Sequence, residues 1–122
     1  MKKTILFIED EPNLQKLVSQ ELEKEGFEIL SALNGEIGLR KAIENKPNLI
    51  LLDLILPKKD GFEVLKELRI SAETKNIPVI ILTNLESTPE IQKALDLGAT
   101  TYLVKANYRL EEIIKKIKGL CV

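Results

Sequence analysis

Histidine is absent from this chain of 122 residues. That removes imidazole metal ligands, Ser-His and Cys-His nucleophile pairs, and any phosphohistidine carried by the chain itself. Cysteine is nearly absent: Cys121, beside the C-terminus, is the only one. No internal disulfide can form, which accords with a reducing compartment, so a cytoplasmic location is expected. Basic charge is not in surplus either, with Lys plus Arg at 18, Asp plus Glu at 19 and a formal net charge of -1. Nucleic acid is therefore not expected as a direct partner, because phosphate backbones call for a basic excess. No apolar stretch is long enough for a membrane span, and Met1-Lys2-Lys3-Thr4 leads into the chain without a signal-peptide cleavage pattern. No internal repeat, low-complexity tract or linker divides the chain. What remains is 44% hydrophobic and 30% charged, a balance that suits one globular domain with one core.

Strand-like and helix-like patterns alternate along it. Thr4-Ile5-Leu6-Phe7-Ile8 is a short apolar run that reads as a strand buried on both faces. Leu14, Leu17, Val18 and Leu22 then recur at helical spacing, with Pro12 suited to the first turn and Gly26 to the C-terminal cap. Residues 27–32 predict a second strand, and Asn34-Gly35 a turn into a helix carrying Ile37, Leu39, Ala42 and Ile43. A third strand is expected over 48–53 and a helix over 61–71, after a loop with Pro57 and Asp60-Gly61. Pro78-Val79-Ile80-Ile81-Leu82 predicts the fourth strand, and Ser87 with Glu90 a capping box for a helix ending at Gly98. A fifth strand over 100–104 and a helix over 108–119 complete five strands and five helices in alternation. That pattern implies a parallel sheet with helices on both faces and right-handed crossovers. Strand order cannot be read from periodicity.

The strands share one property: each of four apolar runs ends in a polar group. They are Glu9-Asp10, Asp53, Thr83 and Lys105. Open α/β sheets place ligands and chemistry outside the carboxyl ends of their strands. If the strands are neighbours, Glu9, Asp10 and Asp53 crowd like charges together, each pair repelling by about 4 kcal/mol at about 4 Å. A divalent cation would offset this, and an all-oxygen set favours a hard ion such as Mg²⁺. A metal, an ammonium and a carboxylate together are the parts needed to move a phosphoryl group onto an aspartate. Taken singly, each residue also has a plainer reading. Asp10 or Glu11 could cap the first helix, Asp53 could be a loop-entry carboxylate, Thr83 a turn hydroxyl and Lys105 a solvated lysine. Their joint placement favours the site.

These residues closely resemble the receiver domains of two-component response regulators. The markers are Ile5-Leu6-Phe7-Ile8-Glu9-Asp10-Glu11, Leu51-Leu52-Asp53-Leu54-Ile55-Leu56-Pro57 with Asp60-Gly61, Ile81-Leu82-Thr83 and Leu103-Val104-Lys105. The resemblance covers essentially the whole chain and implies a single receiver domain over 1–122. It implies a flavodoxin-like (βα)5 doubly wound fold, strand order 2-1-3-4-5. It also implies that Asp53 accepts a phosphoryl group from a histidine kinase or phosphotransfer protein. Asp10, Asp53 and the Ile55 main-chain carbonyl would hold Mg²⁺, with Glu9 acting through water. Lys105 would pair with the phosphoryl oxygens, Thr83 would hydrogen-bond them, and Tyr102 would turn as the switch aromatic. Tyr102 alone reads equally well as an amphipathic strand residue with a wet hydroxyl.

Three positions depart from the family pattern. Ala106 follows Lys105 where a proline, often preceded by a cis peptide, is usual; the sequence does not decide between cis and trans here. Asn84 stands where a small residue is common, and Glu9 where aspartate is commoner. The resemblance implies that Ile55 and Leu85 flank the phosphoryl group; both are apolar, so slow self-dephosphorylation is expected. The sequence given has no room after residue 119 for an output domain, so binding a downstream protein target or passing the phosphoryl group onward is expected, and a piece of a larger regulator would read the same. The resemblance further implies a monomer or weak homodimer, pairing through the fourth helix, fifth strand and fifth helix.

Other classes fit less well. An aspartyl phosphohydrolase of the haloacid dehalogenase type usually has a second aspartate where Ile55 stands. A flavodoxin-like nucleotide binder needs a Gly-rich phosphate loop, whereas Glu9-Asp10-Glu11-Pro12-Asn13 is acidic and glycine-free. A receiver-like scaffold that takes no phosphate stays open through Ala106 and Asn84. Lys115, Lys116 and Lys118 read either as a basic docking patch or as a solvated helix face beside the C-terminal dipole.

Overall fold

The apolar runs are strands and the periodic segments between them are helices. The computed structural model describes residues 2–120, so Cys121 lies outside the described residues. The elements are β1 (Thr4–Ile8), α1 (Pro12–Lys24), β2 (Glu28–Ala32), α2 (Gly35–Asn45), β3 (Leu49–Leu52) and α3 (Gly61–Ile70). They continue with β4 (Val79–Thr83), α4 (Thr88–Asp96), β5 (Thr101–Val104), a 3-10 turn (Lys105–Asn107) and α5 (Leu110–Leu120). The five strands are parallel in the order β2-β1-β3-β4-β5, the flavodoxin-like doubly wound arrangement.

Side-chain alternation splits the core into two layers. Ile5, Phe7, Leu49, Leu51 and Ile80 pack against Val18 and Leu22 of α1 and Ile113 and Ile117 of α5. Leu6, Ile8, Ile50, Leu52 and Ile81 face the other way, onto Ala42 of α2, Val64, Leu65 and Leu68 of α3 and Ala94 of α4. Because both faces are covered, β3 and β4 are buried along their whole length, which is why they read as unbroken apolar runs. Each such fully buried side chain contributes about 1.5–3 kcal/mol. No helix among the described residues is long and apolar enough to cross a membrane.

The helix ends follow their sequence signals in most places. Gly26 adopts φ 95° and donates to the Glu23 carbonyl, while Phe27 donates to Leu22 O, a Schellman ending for α1. Asn34 caps α2 by accepting from Ile37 N–H at 2.8 Å, and Asp60 caps α3 by accepting from Glu63 N–H at 3.1 Å. Ser87 is different. It occupies the N-cap of α4 but its hydroxyl donates to the Glu90 side chain rather than receiving a main-chain N–H. Neither Asp10 nor Glu11 caps α1 with its side chain.

Strand bounds differ from expectation by about one residue, and one element is new. Lys105–Asn107 form a 3-10 turn directly after β5 and leave Tyr108 extended, so α5 starts at Leu110 rather than near 108. The Lys105–Ala106 peptide is trans, since no cis bond occurs among the described residues. The lysines of α5 are partly engaged. Lys118 pairs with Glu25, and Lys116 Nζ lies 5.4 Å from the centre of the Tyr108 ring.

Candidate functional site

With every strand parallel, all five carboxyl ends meet one edge. Asp53 is the first residue past β3, and its N–H donates to Ile8 O at 3.1 Å, extending the ladder by one bond. Its carboxylate is 4% exposed as a residue and held from two sides. Oδ1 accepts from Ile55 N–H at 3.2 Å, and Oδ2 accepts from Lys105 Nζ at 2.8 Å. The loop that begins at Asp53 closes tightly beneath it. Gly61 N–H donates to Leu54 O, and a Cβ at Gly61 would sit 2.3 Å from Asp53 O, so only glycine fits.

Glu9 is the first residue past β1 and is fully buried. Its Oε2 accepts from Glu11 N–H at 3.1 Å. Its Oε1 lies 2.7 Å from Lys105 Nζ, an ion pair whose angles fall outside hydrogen-bond geometry. Asp10 is exposed at the mouth of the same corner. Carboxylate oxygens of Glu9, Asp10 and Asp53 lie within 4.8 Å of one another. Three carboxylates thus face one ammonium, a formal excess of two negative charges.

This crowding acts on acidity. Burial first, and the nearby Asp53 charge second, push the Glu9 carboxyl up to about 7, against the pull of Lys105. Burial opposes the charged form of Lys105, but its contacts with Asp53 and Glu9 outweigh this and raise its pKa. The Lys105 side chain is 13% exposed, so it is not a solvated lysine at a strand end.

Thr83 closes β4, fully buried, and its hydroxyl has no hydrogen-bond partner among the described residues. A buried, unanswered polar atom costs about 1–3 kcal/mol, so a ligand that answered it would recover that amount. Tyr102 is half-buried on β5, and its hydroxyl donates to Leu85 O at 2.7 Å rather than to water. Burial, with Glu90 and Asp53 nearby, pushes that phenol up to about 12. Ile55 and Asn84 are exposed at the rim.

The donor set fits a small, hard dication. All the ligand atoms are oxygens, two of the carboxylates are fixed by hydrogen bonds, and Asp10 leaves the corner open to solvent. One residue at this corner escaped the sequence reading. Gln15, in the opening turns of α1, donates to the Glu9 carbonyl at 3.1 Å and to the Ala32 carbonyl at 2.9 Å. A lone amide on a helix has no spacing signal that could have marked it.

The comparisons with known proteins agree in kind. The family model described as the response regulator receiver domain matches residues 5–118. The chain is 37% identical over 116 residues to the response regulator ArlR of Staphylococcus saprophyticus, covering 95% of this chain and 51% of that protein. It is 40% identical over 116 residues to the DNA-binding dual master transcriptional regulator RpaA of Synechocystis, covering 95% and 48%. The chain therefore spans about half the length of these curated relatives. Its fold matches the receiver domain of the sensor histidine kinase PA1611 from Pseudomonas aeruginosa with a TM-score of 0.88 and 25% identity, covering 99% and 98% of the two chains. That structure holds a magnesium ion coordinated in its active-site cleft.

Proposed function

The chain belongs to the response regulator receiver family, and from that premise we propose that it is a phosphoryl-accepting switch with Asp53 as the acceptor. The observation that carries the reading is the Asp53 carboxylate itself. It is nearly buried, pinned by Ile55 N–H and Lys105 Nζ, and set against two further carboxylates. Asp10, Asp53 and the Ile55 main-chain carbonyl would hold Mg²⁺, and Glu9 would act through water. Bound there, the ion supplies positive charge that quiets the carboxylates and steadies an incoming phosphoryl group.

The chain's own groups do the rest. A carboxylate oxygen of Asp53 attacks the phosphorus of a phosphohistidine on a histidine kinase or phosphotransfer protein. A P–O bond forms, the P–N bond breaks, and the departing imidazole takes up a proton. Lys105 moves from Asp53 Oδ2 to a phosphoryl oxygen, and Thr83 donates its free hydroxyl to another. Thr83 lies at the end of β4, and Tyr102 on β5 is tied to Leu85 just beyond it. Movement of Thr83 therefore reaches Leu85, Tyr102 and the α4–β5–α5 face, where a downstream protein would bind. In this reading the chain turns over no separate substrate and catalyses only its own phosphorylation and slow dephosphorylation. It works in the cytoplasm, as a monomer or weak homodimer.

Intact-mass measurement after incubation with Mg²⁺ and acetyl phosphate tests this. Wild type gains one labile phosphoryl group and Asp53→Asn gains none; equal labelling of the two would rule Asp53 out. The label should persist for minutes or longer, because neither Ile55 nor Leu85 has a side-chain group to orient a hydrolytic water. Decay within seconds would contradict the expected slow release.

A further inference from the structure

The corner that carries Glu9 and Asp10 is held from outside the cluster. Glu9 lies one residue beyond the last paired position of β1, so no neighbouring strand reaches its carbonyl. That carbonyl instead accepts from Gln15 Nε2 at 3.1 Å. The same nitrogen donates to Ala32 O at 2.9 Å, and Phe7 O lies at a marginal 3.4 Å. Ala32 O also accepts the Glu9 N–H at 3.0 Å. Both main-chain polar groups of Glu9 are thus fixed, one by β2 directly and one by the amide of Gln15. The Glu9 carbonyl belongs to the peptide plane that leads into Asp10. The Asp10 carboxylate has no hydrogen bond or ion pair of its own among the described residues, so its aim depends on that plane.

We propose that Gln15 is a positioning residue for the cation site, aiming Asp10 through the Glu9–Asp10 peptide. This rests on the reading that Asp10, Asp53 and the Ile55 main-chain carbonyl hold Mg²⁺, with Glu9 acting through water. The requirement is for two N–H donors on a planar head at the end of a flexible arm. Methionine keeps the arm and has no donor, whereas arginine carries a planar head with several N–H donors on a longer, charged arm.

Calorimetric Mg²⁺ titration of the whole chain tests the proposal with Gln15→Met and Gln15→Arg beside wild type. Loss of a partner that orients a ligand typically weakens metal binding 10–100-fold, so Gln15→Met should raise the Mg²⁺ Kd by about tenfold or more. Gln15→Arg should stay within about threefold of wild type. A merely structural role would lower the unfolding temperature in chelator and leave the Kd of the folded protein unchanged. The second readout needs no metal. In chelator, the Glu9 and Glu11 amides should exchange hydrogen about tenfold faster in Gln15→Met than in wild type. An unchanged Kd for Gln15→Met, or equal weakening by both variants, would overturn the proposal. Wild type that takes up no Mg²⁺ would sink the cation reading itself. The exchange rates would then still decide whether Gln15 fixes this corner.

Discussion

Thr83 is the residue whose chemistry is least complete. Its hydroxyl is fully buried and unpartnered among the described residues, and removing such a group is expected to stabilise a protein. Thr83→Val keeps the shape of the side chain. It should raise unfolding stability by about 1–2 kcal/mol in urea titrations and, on the proposed reading, uncouple phosphorylation from change at Tyr102. A loss of stability would show that the hydroxyl has an undetected partner. Glu9 gives a pH-dependent counterpart. Its carboxyl titrates near 7 instead of 4.5, so the native state holds this proton more tightly than the unfolded chain does. In metal-free protein, that stability is full below the ordinary glutamate range and is lost as pH rises through about 7. The loss should be on the order of 2–3 kcal/mol, and Glu9→Gln should abolish it. Urea unfolding of both proteins in chelator between about pH 4 and pH 8 reads the difference; parallel curves would refute it. Asp53, Glu9, Thr83 and Lys105 were legible because each ends an apolar run. Their partners were not, since no spacing reports which oxygen Lys105 meets.

Among the elements, α3 carries in its last turn an arginine that organises its surroundings. Arg69 Nε donates to Gly98 O at 3.0 Å, just past α4, and Nη1 donates to Ile77 O at 2.7 Å and Lys75 O at 3.1 Å. One guanidinium therefore ties α3, the irregular segment before β4 and the turn after α4, and burial lowers its pKa. Arg69→Met should cost about 1.5–3 kcal/mol in urea unfolding, because several carbonyls lose a charged donor together. Hydrogen exchange at Gly98 and Ala99 should rise in the same variant. An unchanged unfolding midpoint would show that water replaces the guanidinium without loss. Sequence periodicity located all five strands and five helices, because covered strands and amphipathic helices leave distinct repeats. It missed the Lys105–Asn107 turn, which is too short to show a period, and it misjudged Ser87, whose hydroxyl prefers the Glu90 carboxylate.

For the molecule as a whole, the two core layers share the same five strands, so neither can come apart while the other persists. Unfolding should be a single cooperative step, with far-ultraviolet dichroism and tyrosine fluorescence changing at the same urea concentration. Separated transitions would mean that α2, α3 and α4 detach from their face independently. Strand order came from the family resemblance and not from the pattern of residues, because alternation fixes which faces are covered but not which strands are neighbours. The dry oxygen at the tip of β4 also has a consequence for breeding hardier versions of this chain. On the proposed reading, a screen scored only by survival of heat would reward its deletion, returning a sturdier fold deaf to its own messenger. Selections for robustness would therefore need a signalling readout in the same round.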